Sequence, residues 1–134
     1  MSRENVDAWR RILAAYNRRD RSAFLAEMHR DVETIPLAEW PEPGPYVGED
    51  VWTFHVAFAD VWGEATAPRP TELLDLGDKL VTCLERTALG GASQISVSYS
   101  VYGVITFRDG KVTRLQWFQR REDALAAAGP SEGG

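Results

Sequence analysis

The stretch ISVSYSVYGVITFRDGKVTRLQWFQR, Ile95 to Arg120, holds two β-compatible segments joined at Arg108-Asp109-Gly110. How that joint is built decides which side chains face inward. A two-residue loop at Asp109-Gly110 would set Ile105 opposite Arg114 and Tyr99 opposite Arg120, bringing guanidiniums among Val97, Val101 and Phe107. A three-residue loop puts Arg108 and Asp109 in a type I turn and Gly110 in a left-handed G1 bulge. It sets Gly103 against Leu115, Val101 against Trp117 and Tyr99 against Gln119. Because a one-residue slip exchanges the two faces, the hydrophobic pattern favours the longer loop. The expected inner face is then Val97, Tyr99, Val101, Gly103, Ile105, Phe107, Leu115, Trp117 and Gln119. The expected outer face includes Tyr102, Val104, Thr106, Val112, Arg114, Gln116 and Phe118.

The remainder of the chain has the size and balance of one domain. With 134 residues it can bury roughly two thirds of its unfolded surface. Its hydrophobic fraction of 44% and charged fraction of 26% are ordinary for a globular protein, and a net charge of −5 disfavours non-specific nucleic-acid binding. The opening MSRENVDAWRR lacks the apolar core of a signal peptide, and no run approaches the roughly 20 apolar residues of a membrane span. A cytoplasmic protein with no membrane partner is the expectation. One cysteine, Cys83, excludes an internal disulfide and reads as core. Two histidines without Cys/His spacing give no zinc pattern.

Apolar residues Val6, Trp9, Ile12, Leu13 and Tyr16 recur at helical spacing and predict a helix over Arg3 to Arg18. Asp20 or Ser22 can cap a short second helix carrying Phe24, Leu25 and Met28, with His29 at its end. Val32 to Leu37 reads as a strand. Trp40-Pro41-Glu42-Pro43-Gly44-Pro45 reads as a loop near a pocket mouth, since its prolines remove donors and fix φ. Val51, Trp52, His55, Ala59 and Trp62 predict a third helix over Glu49 to Trp62. Strands follow at Glu72 to Leu76 and Leu80 to Leu89, with Gly90-Gly91 turning into the long hairpin. Asp123 to Ala128 closes with a helical turn, before a tail at 129–134 that should fray. The order implies an α+β, cone-shaped fold: a curved, mainly antiparallel sheet wrapped around three helices from the N-terminal half, in a single domain at 1–128.

Several strings in this order are similar to the SnoaL-like branch of the ketosteroid-isomerase/nuclear transport factor 2-like superfamily. They are Glu4-Asn5-Val6, Ala15-Tyr16-Asn17-Arg18-Arg19-Asp20, Asp31-Val32-Glu33, Gly48-Glu49, Leu76-Gly77-Asp78-Lys79, Phe107-Arg108-Asp109-Gly110-Lys111-Val112 and Arg121-Glu122-Asp123-Ala124-Leu125. The resemblance covers almost the whole chain. It implies a sheet and three helices around a pocket, commonly with homodimerisation through the outer sheet face, for which the mixed Ser/Tyr/Phe surface is suited. It transfers no mechanism. The tyrosine, aspartate base and neutral aspartic acid of ketosteroid isomerases align with Ile12, Pro36 and Gly103 here. The Asp-Arg-Asp set of the limonene epoxide hydrolase branch has no placement, and the inner face has no SnoaL-type aspartate.

The same alignment and alternation put Cys83, Glu85 and Thr87 on the pocket side of their strand. A carboxylate at Glu85 beside apolar walls would be raised toward the range of acid/base work; alternatively it pairs with Arg86, Arg120 or His55, or reaches water at the rim. His55 lies on the buried stripe of helix three and is either a base oriented by Glu85 or a satisfied core histidine. Tyr99 and Gln119 offer hydrogen bonds to a ligand carbonyl or hydroxyl, and Trp52 and Trp117 offer apolar walls. Two functions follow. One is a cofactor-free acid/base isomerase, cyclase or hydrolase acting on a small hydrophobic substrate. The other is a non-catalytic dimeric binding or accessory domain with a largely filled cone.

Overall fold

The computed structural model describes residues 2–62, 68–90 and 95–129. Helix α1 spans Ser2–Asn17, α2 Arg21–Ala26, β1 Met28–Ile35, β2 Tyr46–Val47 and α3 Asp50–Trp62. Then come β3 (Arg69–Asp75), β4 (Lys79–Gly90), β5 (Ile95–Arg108), β6 (Lys111–Phe118) and α4 (Arg121–Ala128). The strands form an open six-stranded sheet in the order β2-β1-β6-β5-β4-β3. It is antiparallel except where β1 runs parallel to β6. The α+β cone expected from sequence is the architecture observed, with a fourth helix added outside it. Of the tail expected at 129–134, all but Gly129 lies outside the described residues, as do the residues at 63–67 and 91–94 that join predicted elements.

The two long helices bury the faces their periodicity marked. Ala8, Trp9, Ile12, Ala15 and Tyr16 of α1 and Val51, Phe54, Phe58 and Ala59 of α3 join Leu80, Leu84, Val101, Ile105 and Leu115 in one apolar cluster. Asp20 is the N-cap of α2, its side chain accepting from the Ala23 N–H at 3.0 Å. That helix ends at Glu27, two residues earlier than the apolar stripe suggested, and the Val112 N–H donates to the Glu27 carbonyl at 3.0 Å. Met28 is therefore the first residue of β1, opposite Val112, and His29 lies within the strand. The proline loop folds back on α3, where the Tyr46 ring stacks on Phe54 at 4.9 Å and Trp40 meets the edge of Phe54 at 5.3 Å.

The hairpin reaches its expected faces by a different route. Arg108 pairs with Lys111, and Asp109 and Gly110 adopt φ of 54° and 80°, so the loop has two residues, both left-handed. Phe107 then pairs with Val112, but Thr106 pairs with Arg114, leaving Thr113 as an extra residue in β6. This bulge exchanges the faces of β6 beyond it. Val112 thereby points inward, contrary to expectation, while Leu115 and Trp117 keep their inner places opposite Ile105 and Gly103 rather than Gly103 and Val101. Both halves of the ladder bury apolar side chains on the same face, which a bulge-free two-residue hairpin would not allow.

The outer face is partly covered by the chain itself. Ala124 and Ala128 of α4 pack on Val81 and Val104, with Leu74, Leu76, Tyr102, Phe118 and Leu125 around them. The apolar residues that suggested a partner surface, Tyr102, Val104 and Phe118, are thus used within the chain.

Candidate ligand pocket

Residues directly opposed in an antiparallel ladder share a face. Arg86 opposes Tyr99, Leu84 opposes Val101 and Thr82 opposes Gly103, so the even-numbered residues of β4 look into the cone. The expectation for Cys83, Glu85 and Thr87 is corrected accordingly. Cys83 lies near Tyr102 on the outer side, and Glu85 pairs with Arg69 at 2.5 Å with its side chain 39% exposed. Alternation could not choose between faces here, because β4 carries apolar residues at both parities: Leu80 and Leu84 face the helices inside, and Val81 faces α4 outside.

A small cavity of about 10 Å³, room for one water, lies among Leu37, Phe54, Phe58, Arg86, Val101 and Trp117. A wider cleft of about 320 Å³ is bordered by Leu37, Phe58, Tyr99, Ser100, Val101 and Gln119. Leu37, Phe58 and Val101 border both spaces, so the cleft is the outer part of a region whose depth is closely filled. Tyr99 and Gln119 share the cleft without opposing each other, since the ladder between β5 and β6 ends at Tyr102 and Phe118. Trp52 is half-buried and packs against Phe24, ring centroids 5.1 Å apart; it borders neither space.

The filled depth is organised by a hydrogen-bonded chain. His55 Nδ1 lies 2.7 Å from the Val51 carbonyl. A carbonyl only accepts, so Nδ1 carries the proton and Nε2 presents its lone pair. Trp117 Nε1 donates to that lone pair and to Thr34 Oγ1, at 3.2 Å each, and Thr34 Oγ1 donates to the Leu115 carbonyl at 3.1 Å. Burial pushes His55 down to about 4; the Val51 hydrogen bond opposes this, and the positive charge of Arg86 adds to it. The imidazole is neutral near pH 7 with both nitrogens engaged, and Glu85 is not brought to it. Its immediate effect is to hold the Trp117 ring, which lies over Gly103. A Cβ at position 103 would come within 2.6 Å of Trp117 Cζ3. The indole thus fills the space beside the position that the resemblance aligns with a catalytic acid.

Arg86 is the site residue the sequence reading missed. It is 5% exposed, and its guanidinium lies 5.2 Å from the Phe58 ring centroid and 5.9 Å from that of Tyr16. The signal that finds it is parity: once Tyr99 and Val101 are placed inward, the pairing that carries Leu84 inward carries Arg86 with it. Among the described residues, no group of three His, Cys, Asp or Glu side chains is placed to hold a metal.

No protein-family model matches the sequence, and no curated protein matches it. Solved structures do. TerC, co-crystallised with polyporic acid, superposes with a TM-score of 0.72 over 90% of this chain and 94% of its own, at 22% identity. A nuclear transport factor 2-like protein of unknown function from Burkholderia pseudomallei gives 0.72 over 92% and 95%, at 18% identity. A candidate polyketide cyclase from Sinorhizobium meliloti gives 0.67 over 87% and 98%, at 18% identity. The chain has the SnoaL-like, nuclear transport factor 2-like fold.

Proposed function

We propose that the protein binds a small hydrophobic ligand in the cleft at the mouth of its cone, with Tyr99 and Gln119 as contacts, while His55 positions Trp117 in the filled depth behind it. The observation that carries this is the cleft itself: apolar walls from Leu37, Phe58 and Val101 face the polar groups of Tyr99, Ser100 and Gln119. That TerC was crystallised with an organic acid agrees with this use of the fold. An acid/base mechanism through His55 and Glu85 would need them in one site; with His55 Nε2 occupied by Trp117 and Glu85 paired to Arg69 on the other face, binding is the reading we favour. Among the described residues no helix is long and apolar enough to cross a membrane.

Tryptophan fluorescence titrated with 2-naphthamide, a neutral aromatic probe, tests the pocket. Saturable binding is expected, and Gln119→Trp, an exposed change at the cleft border, should abolish it without altering the melting temperature. Unchanged binding in that variant refutes the location. Pairing with a second copy is proposed through the part of the outer face that α4 leaves open, the groove bordered by Glu33, Thr106, Arg114 and Gln116. A purely monomeric species in sedimentation velocity refutes that pairing.

A further inference from the structure

A groove of about 290 Å³ lies between α1 and β3, an edge strand of the sheet, and shares no residue with the cleft or the small cavity. Its walls are Trp9, Arg10 and Leu13 of the helix and Pro70, Thr71, Glu72 and Leu73 of the strand. Pro70 opposes Leu84, Glu72 opposes Cys83 and Leu73 opposes Thr82, which leaves Thr71 as an extra residue. That bulge turns both Pro70 and Leu73 to the inner face, where α1 packs. Trp9 is 3% exposed, and its Nε1 is buried with no acceptor among the described residues. A buried N–H without a partner has given up its hydrogen bond to water, so it favours any acceptor that can reach it. Trp117 neighbours the indole at 6.5 Å between ring centroids, and neither the cavity nor the cleft borders Trp9; the groove does. The wall charges do not choose a ligand by sign. Arg10 is a cation loosely paired with Asp7 at 3.7 Å, and Glu72 is an anion held by Arg121 at 3.0 Å. Selection therefore falls to the hydrogen bond.

We infer that this groove is a further binding site, independent of the cleft, for a small neutral carbonyl compound. Its oxygen accepts from Trp9 Nε1, and its apolar body lies against Leu13, Pro70 and Leu73. A site built on a buried donor rejects an analogue of the same shape that lacks the acceptor. Acetophenone and α-methylstyrene are such a pair, differing by a carbonyl oxygen in place of a methylene. In ¹H–¹⁵N spectra of the labelled wild-type protein, acetophenone should move the Trp9 indole N–H saturably. Its Kd, read from the backbone resonances of Leu13 and Leu73, should be about fivefold below that of α-methylstyrene. Trp9→Phe assigns the indole resonance by its loss, keeps an aromatic ring, and should bring the two Kd values together. Thr71→Phe, a change at the exposed rim, should abolish the Trp9 shift by filling the groove. An unmoved Trp9 N–H or equal affinities in the wild type overturn the site without recourse to a variant. A preference that survives Trp9→Phe, or a Trp9 shift that survives Thr71→Phe, brings the acceptor in elsewhere and also overturns it. None of these results bears on the cleft, since the two spaces share no residue.

Discussion

Acid should weaken this fold through His55 specifically. In the unfolded chain a histidine titrates near 6.5, and in the folded chain His55 is held to about 4. A group with a depressed folded value favours the fold while it is neutral. As pH falls below 6.5 the unfolded chain takes up a proton that the folded chain refuses, so stability is lost until the folded chain also protonates near 4. The gap is worth roughly 3 kcal/mol in total, of which roughly 2 to 3 is lost by pH 4.5. Urea unfolding of the wild type and of His55→Gln at pH 7.5, 6.5, 5.5 and 4.5 reads this directly. Carboxylates held low by their partners, such as Glu27 beside Arg11 and Glu72 beside Arg121, lose stability in more acid solution, and their contributions cancel between the two proteins. The wild-type advantage at pH 7.5 should therefore shrink by roughly 2 to 3 kcal/mol at pH 4.5. Parallel curves would mean that His55 titrates alike folded and unfolded, and the dry, neutral imidazole described above would be wrong.

Three further outcomes follow from particular contacts. Gly103→Ala drives a Cβ into the Trp117 ring and should cost about 1 to 3 kcal/mol with a shifted tryptophan emission; an unchanged unfolding midpoint would separate Trp117 from Gly103. Asp20→Ala removes the cap of α2 and should cost about 1 kcal/mol in denaturant unfolding, while a loss near zero would deny the cap. Glu85→Gln breaks a partly exposed pair with Arg69, so stability should change by less than about 1 kcal/mol and naphthamide affinity should not change; weaker binding would return Glu85 to the pocket.

What the sequence disclosed follows the physics of each element. The stripes of α1 and α3 were legible because each helix buries one face only. The hairpin's faces were legible from Tyr99 to Phe107 and again at Leu115 and Trp117, but not the means of joining them. Phe107, Val112 and Leu115 are all buried, and Val112 and Leu115 differ in parity, a spacing that only a bulge between them satisfies. Read alone, that spacing could have located Thr113. The faces of β4 were not legible, because α4 covers the outside with Val81 while the cone takes Leu80 and Leu84, and a strand buried on both sides has no alternation to read. That hid Arg86 and misplaced Glu85. His55 stood out in the sequence as an unusual residue on an apolar stripe; its Val51 partner lies one turn back in its own helix, but Trp117, from β6, is 62 residues away in sequence.

In the proposed function, ligand enters at the cleft between Leu37, Phe58, Tyr99 and Gln119. An NMR titration of the isotopically labelled wild-type protein with 2-naphthamide tests it most directly. Saturable shifts are expected, centred on Leu37, Phe58, Tyr99, Val101 and Gln119, with the Trp117 indole N–H following. Shifts centred on Thr106, Arg114 and Gln116 of the outer face, or no saturable shift at all, would contradict it.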